Sequence, residues 1–100
     1  MKIQFANSKV KKTCNKATGK LERRLNDISA AENMQEMKTL PGKLHVLKGD
    51  RKGQWAMDVN HPKRLIMEPL ADPMPMDEDG WIYLEKVTAV RIIAVEDYHG

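Results

Sequence analysis

The chain has little of what several classes of protein depend on. Of its 100 residues, one is cysteine and three are histidine. A single cysteine, Cys14, cannot form an intrachain disulfide, and no cysteine and histidine spacing here matches a zinc motif. No apolar stretch is long enough to cross a membrane, and no signal-peptide core follows Met1. The sequence therefore predicts one cytoplasmic domain over residues 1–100, with Cys14 as a half-buried or surface thiol on the first helix.

Aromatic residues are also scarce, at five in the whole chain. They form no run on which nucleotide bases could stack. Any affinity for nucleic acid would therefore have to come from charge. Residues 1–24 contain eight basic side chains against Glu22, a local net charge of +7, whereas residues 65–100 contain eight acidic side chains against two basic ones. A basic first segment predicts either a polyanionic partner or a solvated helix face, and composition leaves both open.

The first part of the chain predicts a strand followed by helices. Residues 2–6 alternate polar and apolar, as in a short strand. Asn7 and Ser8 form a helix-start signal, and apolar residues then recur at helical spacing in two segments separated by Thr18 and Gly19. Ser29 and Glu32 are spaced as a capping box, which predicts that a further helical turn begins at Ser29.

From residue 43 the apolar period changes from 3.6 to 2, which is typical of strands. The pattern predicts strands at residues 44–48, 54–59, 64–68 and 87–95, with a proline-rich link between the last two. Nothing marks a domain boundary between the helical part and the strands. The sequence therefore predicts an α+β fold in which the helices pack on the sheet.

The end of the chain carries titratable side chains on a well-supported strand. The apolar run 89–95 is followed by Glu96, Asp97, Tyr98, His99 and Gly100. Residues so near a terminus usually fray, but a buried strand would hold these in place. Carboxylate, phenol and imidazole groups all move protons in catalysis.

The middle of the chain offers side chains that complement this terminal group. His45, Lys48 and Arg51 lie on one predicted strand and its turn, and Arg64 follows across a hairpin. If the last strand pairs near the centre of the sheet, all of these groups meet. RNA cleavage requires a base for a 2′-hydroxyl, an acid for the departing 5′-oxygen, and cations for the phosphate. Histidine is suited to carry the protons, and the route needs neither a metal nor another cofactor.

At these residues the chain resembles the HigB branch of the RelE/ParE toxin superfamily, which belongs to bacterial type II toxin–antitoxin systems. The resemblance is carried by the Leu-Pro-Gly segment at 40–42, the block at 44–55, the strand that begins at Arg64 and the terminal Glu-Asp-Tyr-His. It implies helices packed on a twisted, mostly antiparallel sheet. It also implies a ribosome-dependent endoribonuclease that cuts mRNA in the A site and needs no cofactor.

The resemblance further implies partners and roles for individual residues. The partners would be the ribosome with its mRNA and a HigA-like antitoxin with a helix-turn-helix, whose complex binds operator DNA. The catalytic residues would be His45, Lys48, Asp97, Tyr98 and His99. The residues that bind RNA or its phosphates would be Arg51, Arg64, Lys9, Lys12, Lys16 and Arg23.

A second hypothesis stays open at this point. The same fold could act without catalysis, through its antitoxin and operator complex or by blocking a target such as gyrase, as the ParE branch is thought to do. That hypothesis predicts an inert C-terminus and no need for Lys48. The link at residues 71–86 is longer than is usual for the family; it could reshape the substrate groove or the antitoxin contact, or it could be neutral.

Overall fold

The computed structural model describes residues 1–97; the proposed catalytic residues Tyr98 and His99, and Gly100 after them, lie outside the described residues. Within residues 1–97 the chain forms three α-helices and one five-stranded sheet. The elements are β1 (Lys2–Phe5), α1 (Ser8–Asn15), α2 (Gly19–Ala30), α3 (Met34–Met37), β2 (His45–Val46), β3 (Trp55–Asn60), β4 (Lys63–Pro69) and β5 (Ala89–Asp97). This confirms the predicted α+β fold.

The sheet is mostly antiparallel, as predicted. Its strand order is β1-β5-β4-β3-β2, with β1 parallel to β5 and every other neighbouring pair antiparallel. β5 therefore lies inside the sheet, hydrogen-bonded on both sides, rather than at an edge. β1 pairs with β5 only as far as Ile92, and β4 alone holds β5 from there to Asp97.

Two of the helices begin at asparagine caps. Asn7 accepts a hydrogen bond from the backbone N–H of Val10 at 2.9 Å, which starts α1. Asn33 accepts from the N–H of Glu36 at 3.0 Å, which starts α3, and the Glu36 carboxylate accepts in turn from the N–H of Glu32. The capping box predicted at Ser29 is wrong, because Ser29 lies inside α2 and the cap belongs to Asn33.

The hydrophobic core lies between the helices and one face of the sheet. Helical residues Ile28, Met34 and Met37 are fully buried against strand residues such as Met57 and Leu65. The methionines suit this interface because their unbranched side chains fill irregular gaps between a twisted sheet and short helices.

Cys14 belongs to this core and is more buried than the sequence predicted. Burial raises the pKa of its thiol. The thiol therefore stays protonated and packs as a small apolar group, since the reactive form of cysteine is the thiolate.

β2 is shorter than the sequence predicted because the chain leaves the sheet after two residues. A 3₁₀ turn over Gly49–Arg51 follows, with Lys48 as the residue before it. The segment leading into β2 is fixed at Gly42, whose φ is +110°. Its carbonyl accepts from the N–H of Asp58 at 2.7 Å, so this backbone lies directly against β3.

The long link between β4 and β5 is ordered by local contacts. The side chain of Asp77 accepts hydrogen bonds from the N–H groups of Asp79 and Trp81, both at 2.9 Å. Met76 forms an isolated bridge with Ile82, and a 3₁₀ turn spans Leu84–Lys86. In the described part of the chain no helix is long and apolar enough to span a membrane.

Candidate active site on the helix-free face of the sheet

The face of the sheet opposite the helices carries two rows of residues defined by the strand register. One row contains His45, Ala56, Ile66 and Ala94, and the next contains Asp58, Arg64 and Glu96. We call this the helix-free face. These residues alternate along their strands with core residues such as Met57, Leu65 and Val95, which point to the helices.

The turn that follows β2 leans over the helix-free face, and we call the surface beside and beneath this turn the hollow. Ala56 and Ile66 are fully buried although no helix covers them. Arg51, in the 3₁₀ turn after β2, contacts Glu96 on β5. β2 and β5 are separated by three strand spacings, which is about 14 Å. Because one arginine side chain is shorter than that span, the turn must lean over the sheet. Ala56 and Ile66 are therefore covered, and the surface that a ligand could contact is formed by the charged groups above them.

Glu96 joins the two arginines that the sequence proposed as phosphate ligands. Its two carboxylate oxygens accept from Nη1 and Nη2 of Arg51 at 2.5 and 2.7 Å. Its Oε1 also accepts from Nη2 and Nε of Arg64 at 2.9 and 3.2 Å. Two-point contacts of this kind fix the plane of a guanidinium as well as its position. The carboxylate therefore aims Arg51 and Arg64 at the same region of the face.

This arrangement perturbs Glu96 strongly. The hydrogen bonds from Arg51, and then those from Arg64, lower its pKa from 4.5 to about 2, against an opposing effect of burial. The same hydrogen bond raises the pKa of Arg51. The group thus stays ionised over the whole physiological range. Asp58 lies opposite Arg64 in the same row and adds a second, exposed carboxylate.

His45 lies on the same face, one row away from Arg64. Its ring Nδ1–H donates to the backbone carbonyl of Lys43 at 2.8 Å. A carbonyl oxygen can only accept, so the neutral ring carries its proton on Nδ1 and has a lone pair on Nε2. Lys43 has φ +50°, unusual for a residue with a side chain. Its backbone is thus bent at the residue that orients the imidazole.

The other proposed catalytic residues are distributed around this hollow. Lys48 is exposed at the start of the turn that leans over the face. Asp97 is exposed and pairs with Lys63 at the end of β5. Strand alternation places Asp97 on the side of Val95 and the helices, opposite to Glu96. Within the described residues, Arg51, Arg64 and His45 therefore share one face, whereas Asp97 does not.

The proposed RNA-binding residues of the helices lie on the other side of the molecule. Lys9 and Lys12 are exposed on α1, Lys16 follows its last residue, and Arg23 is exposed on α2. They are therefore separated from the hollow by the thickness of the sheet. A nucleic acid bound at both places would have to pass around an edge of the sheet.

Sequence reasoning missed the role of Glu96. The residue was noted as part of the terminal segment but was given no function. A signal was available, because Glu96 is two residues from Ala94 and so shares a face with it rather than with Val95. The contact with Arg51 was not predictable, since it depends on how the turn after β2 folds.

A separate concave surface lies at the β2 edge of the sheet. It is a groove of about 760 Å³ between α3, β2 and the link that precedes β5. Its walls include the exposed apolar residues Val46, Met76 and Trp81. Arg51, Arg64 and Glu96 do not line it, so this groove is distinct from the hollow of the helix-free face.

Comparison with known proteins agrees with this architecture. A search of curated proteins found no match. A solved structure described as the YoeB/ParE toxin from Agrobacterium tumefaciens superposes with a TM-score of 0.59 at 15% identity, over 99% of this chain and 100% of that one. At that identity the likeness concerns the fold. The family model for the RelE-like toxin HigB of type II toxin–antitoxin systems matches residues 3–74, and this chain therefore belongs to the HigB-like toxin family.

Proposed function

We propose that this toxin is a ribosome-dependent endoribonuclease that cleaves mRNA in the A site and thereby stops translation. The observation that carries the proposal is the hollow on the helix-free face, where Glu96 gathers Arg51 and Arg64 on the same face as the imidazole of His45. Two oriented guanidinium groups near a lone pair that can accept a proton suit phosphodiester chemistry better than they suit a passive binding surface.

The proposed reaction is a transfer of the phosphodiester to the neighbouring 2′-oxygen. A base removes the 2′-hydroxyl proton, the 2′-oxygen bonds to phosphorus, and the bond to the 5′-oxygen breaks. An acid gives a proton to that departing oxygen, so the products are a 2′,3′-cyclic phosphate and a free 5′-hydroxyl. We assign proton transfer to His99 and Asp97, with Tyr98 orienting or stacking on a nucleotide. Because Asp97 faces away from Glu96, this assignment requires the message to pass around the end of β5.

His45 is proposed to assist through Nε2. Its Nδ1–H is held by the Lys43 carbonyl, which leaves Nε2 as the ring atom that can exchange a proton with substrate. Because β5 and β2 are not neighbours, a substrate between them would span the hollow from one side to the other.

Arg64, Arg51 and Lys48 are proposed to stabilise the negative charge that develops on the phosphate. The side chain of Arg64 is 13% exposed and that of Arg51 is 38% exposed. Arg51 is therefore the more accessible guanidinium, and it commits two of its five N–H groups to Glu96. Lys48 adds a flexible ammonium at the entrance.

Membership of a toxin–antitoxin family implies a cognate antitoxin. We propose that this antitoxin is HigA-like, with a helix-turn-helix, and that the complex binds operator DNA through it. On the ribosome, Lys9, Lys12 and Arg23 would contact ribosomal RNA while the message enters the hollow. That division agrees with their positions on opposite sides of the sheet.

The test is a cleavage assay with purified protein, ribosomes and a defined message, with cut sites mapped by primer extension. We expect cuts within the A-site codon, and we expect loss of cutting in His99→Ala and in Lys48→Ala. The control is His61→Ala, which removes an exposed histidine from the turn between β3 and β4. Absence of A-site cuts by the unmodified protein, or full cutting by His99→Ala, would contradict the proposal.

The same variants separate this mechanism from a non-catalytic toxin. If expression of the Lys48→Ala and His99→Ala double variant still arrests growth, the toxin acts by binding a target. If growth resumes while the variant still binds its antitoxin, the active site is required. A small helix-turn-helix protein in the neighbouring reading frame would identify the antitoxin.

A further inference from the structure

A second, smaller cleft lies on the helix side of the molecule at the end of β5. It has a volume of about 290 Å³ and is formed by the α1–α2 turn on one side and the β3–β4 turn on the other. Three lysines line it: Lys16 follows α1, Lys20 is in the first turn of α2, and Lys63 begins β4. They come from distant parts of the sequence, so the fold alone brings them together.

The charged residues that line the cleft are all positively charged. Its lining residues include Lys16, Lys20 and Lys63 but no aspartate or glutamate. Two carboxylates lie nearby on the same elements: Asp97, which pairs with Lys63 in the strand register, and Glu22, in the first turn of α2. Within residues 1–97 none of the three lysines forms an ion pair. Their ammonium groups are therefore available to an anion.

The backbone at the start of α2 also favours an anion in the cleft. Thr18 precedes the first residue of α2 but forms no side-chain capping bond. The first N–H groups of a helix have no partner within the helix and carry the positive end of its dipole. Thr18 lines the cleft beside the lysines, so these N–H groups begin at its wall. An anion bound by the three lysines would thus also lie near the start of a twelve-residue helix.

The floor of the cleft is apolar, which makes the site unlike a simple charged patch. Leu21, Val59 and Val95 lie beneath the lysines, and Asn60 adds a polar amide at one side. A ligand that suits this lining has an anionic part for the rim and a flat or apolar part for the floor. A nucleotide within a strand has both, in its phosphodiester and in its ribose or base.

We propose that this cleft binds a phosphodiester of the RNA strand at the end of β5, on the side of the sheet opposite the hollow, with Lys16, Lys20 and Lys63 as its ligands. This proposal rests on the proposed function. RNA is favoured over an acidic protein segment because β5 passes the cleft at Val95 and continues to Asp97, the first of the proposed proton-transfer residues. Strand bound at the cleft is therefore held next to the end of β5 rather than at a remote surface.

The test measures binding of a short single-stranded RNA with 2′-O-methyl groups, which cannot be cleaved through its 2′-oxygens. Fluorescence anisotropy at several salt concentrations gives the slope of log K against log salt. Replacing Lys16, Lys20 and Lys63 with glutamine should reduce that slope by about 1 to 2, because each phosphate contact on a single strand contributes about 0.7. Replacing the same three with arginine should preserve it.

The matched control replaces Lys2, Lys38 and Lys86 with glutamine, which removes equal charge from exposed positions outside the cleft. Equal loss of slope in both glutamine variants would overturn the proposal, because only net charge would then matter. Binding of an acidic peptide at the cleft without binding of RNA would also overturn it. If RNA binding depends on the three lysines but the protein cuts no message on ribosomes, the cleft is an RNA-binding site. In that case only the proposed function is refuted.

Discussion

The carboxylate of Glu96 lies 2.7 Å from Nη2 of Arg51, a residue 45 positions earlier in the chain. This contact connects the end of β5 to the turn after β2 across two intervening strands. It fixes a guanidinium that would otherwise be at the tip of a surface turn. The end of the chain and the middle of the chain are therefore tied into one site by a single carboxylate.

That carboxylate should make stability depend on pH. The pKa of Glu96 is about 2 in the folded protein and near 4.5 without its partners. A carboxyl group whose folded pKa is lowered adds stability above its unfolded pKa, and the contribution is lost as pH falls through the folded pKa. We expect Glu96→Gln to lower the free energy of unfolding by ~2 kcal/mol at pH 7, since the pair is partly exposed.

Urea unfolding of Glu96→Gln and the unmodified protein between pH 7 and pH 2 measures this effect. The difference between the two should shrink as pH falls from about 4.5 towards about 2. Glu78→Gln is the control, because Glu78 is exposed in the link before β5. A constant difference at every pH would mean that Glu96 stabilises the fold by packing and not by charge.

Arg64, the second arginine that Glu96 binds, should matter for cleavage more than for folding. Removing one preorganised donor from a developing charge typically costs about 100-fold or more in rate. We therefore expect Arg64→Ala to reduce single-turnover cleavage on ribosomes about 100-fold. Arg91→Ala is a matched control, because Arg91 lies on the neighbouring strand β5 and also pairs with a glutamate, Glu68, at 2.9 Å. Equal losses in both variants would argue against a special role for Arg64.

Gly42 should be required because its backbone lies against β3. A Cβ at this position would be 2.6 Å from Cγ of Met57 and 2.7 Å from the carbonyl oxygen of Asp58. Gly80 also has positive φ, but its Cβ position is open. Gly80→Ala should cost about 1 kcal/mol for the backbone alone, and Gly42→Ala about 2 to 4 kcal/mol, because backbone must also move.

Thermal and urea unfolding of the two alanine variants would give these values. The informative quantity is their difference, since both replacements carry the same penalty for a left-handed backbone. Similar losses in stability would show that the chain before β2 can move away from β3 without cost. His45 would then not depend on Gly42 for its position.

The sequence predicted the strands better than their connections, for a physical reason. Alternation defines strands that bury one face, and the predictions at 54–59, 64–68 and 87–95 lie within two residues of β3, β4 and β5 at each end. β2 was predicted too long, because its later residues leave the sheet for a 3₁₀ turn. The turn itself was predicted, but the early end of the strand before it was not.

The same limit applies to the site. His45, Arg51 and Arg64 were identified as chemically suitable, and the structure brings them to one face. The sequence could not show that Glu96 would join the two arginines, because several carboxylates were equally available in the last third of the chain. The cap of α3 shows this locally as well: the sequence predicted a capping box at Ser29, whereas the structure caps the helix at Asn33.

The orientation of His45 predicts different roles for its two ring nitrogens, and one substitution can distinguish these roles. The amide of asparagine can take the place of Nδ1 and donate to the Lys43 carbonyl, but it has no atom at the place of Nε2. His45→Asn should therefore keep the stability of the unmodified protein within about 0.5 kcal/mol. Its cleavage rate should fall about 100-fold, because general acid–base groups contribute at least that much. His61→Asn, on an exposed turn, should change neither. If His45→Asn cleaves at the normal rate, the hydrogen bond to Lys43 is structural and Nε2 has no part in the reaction.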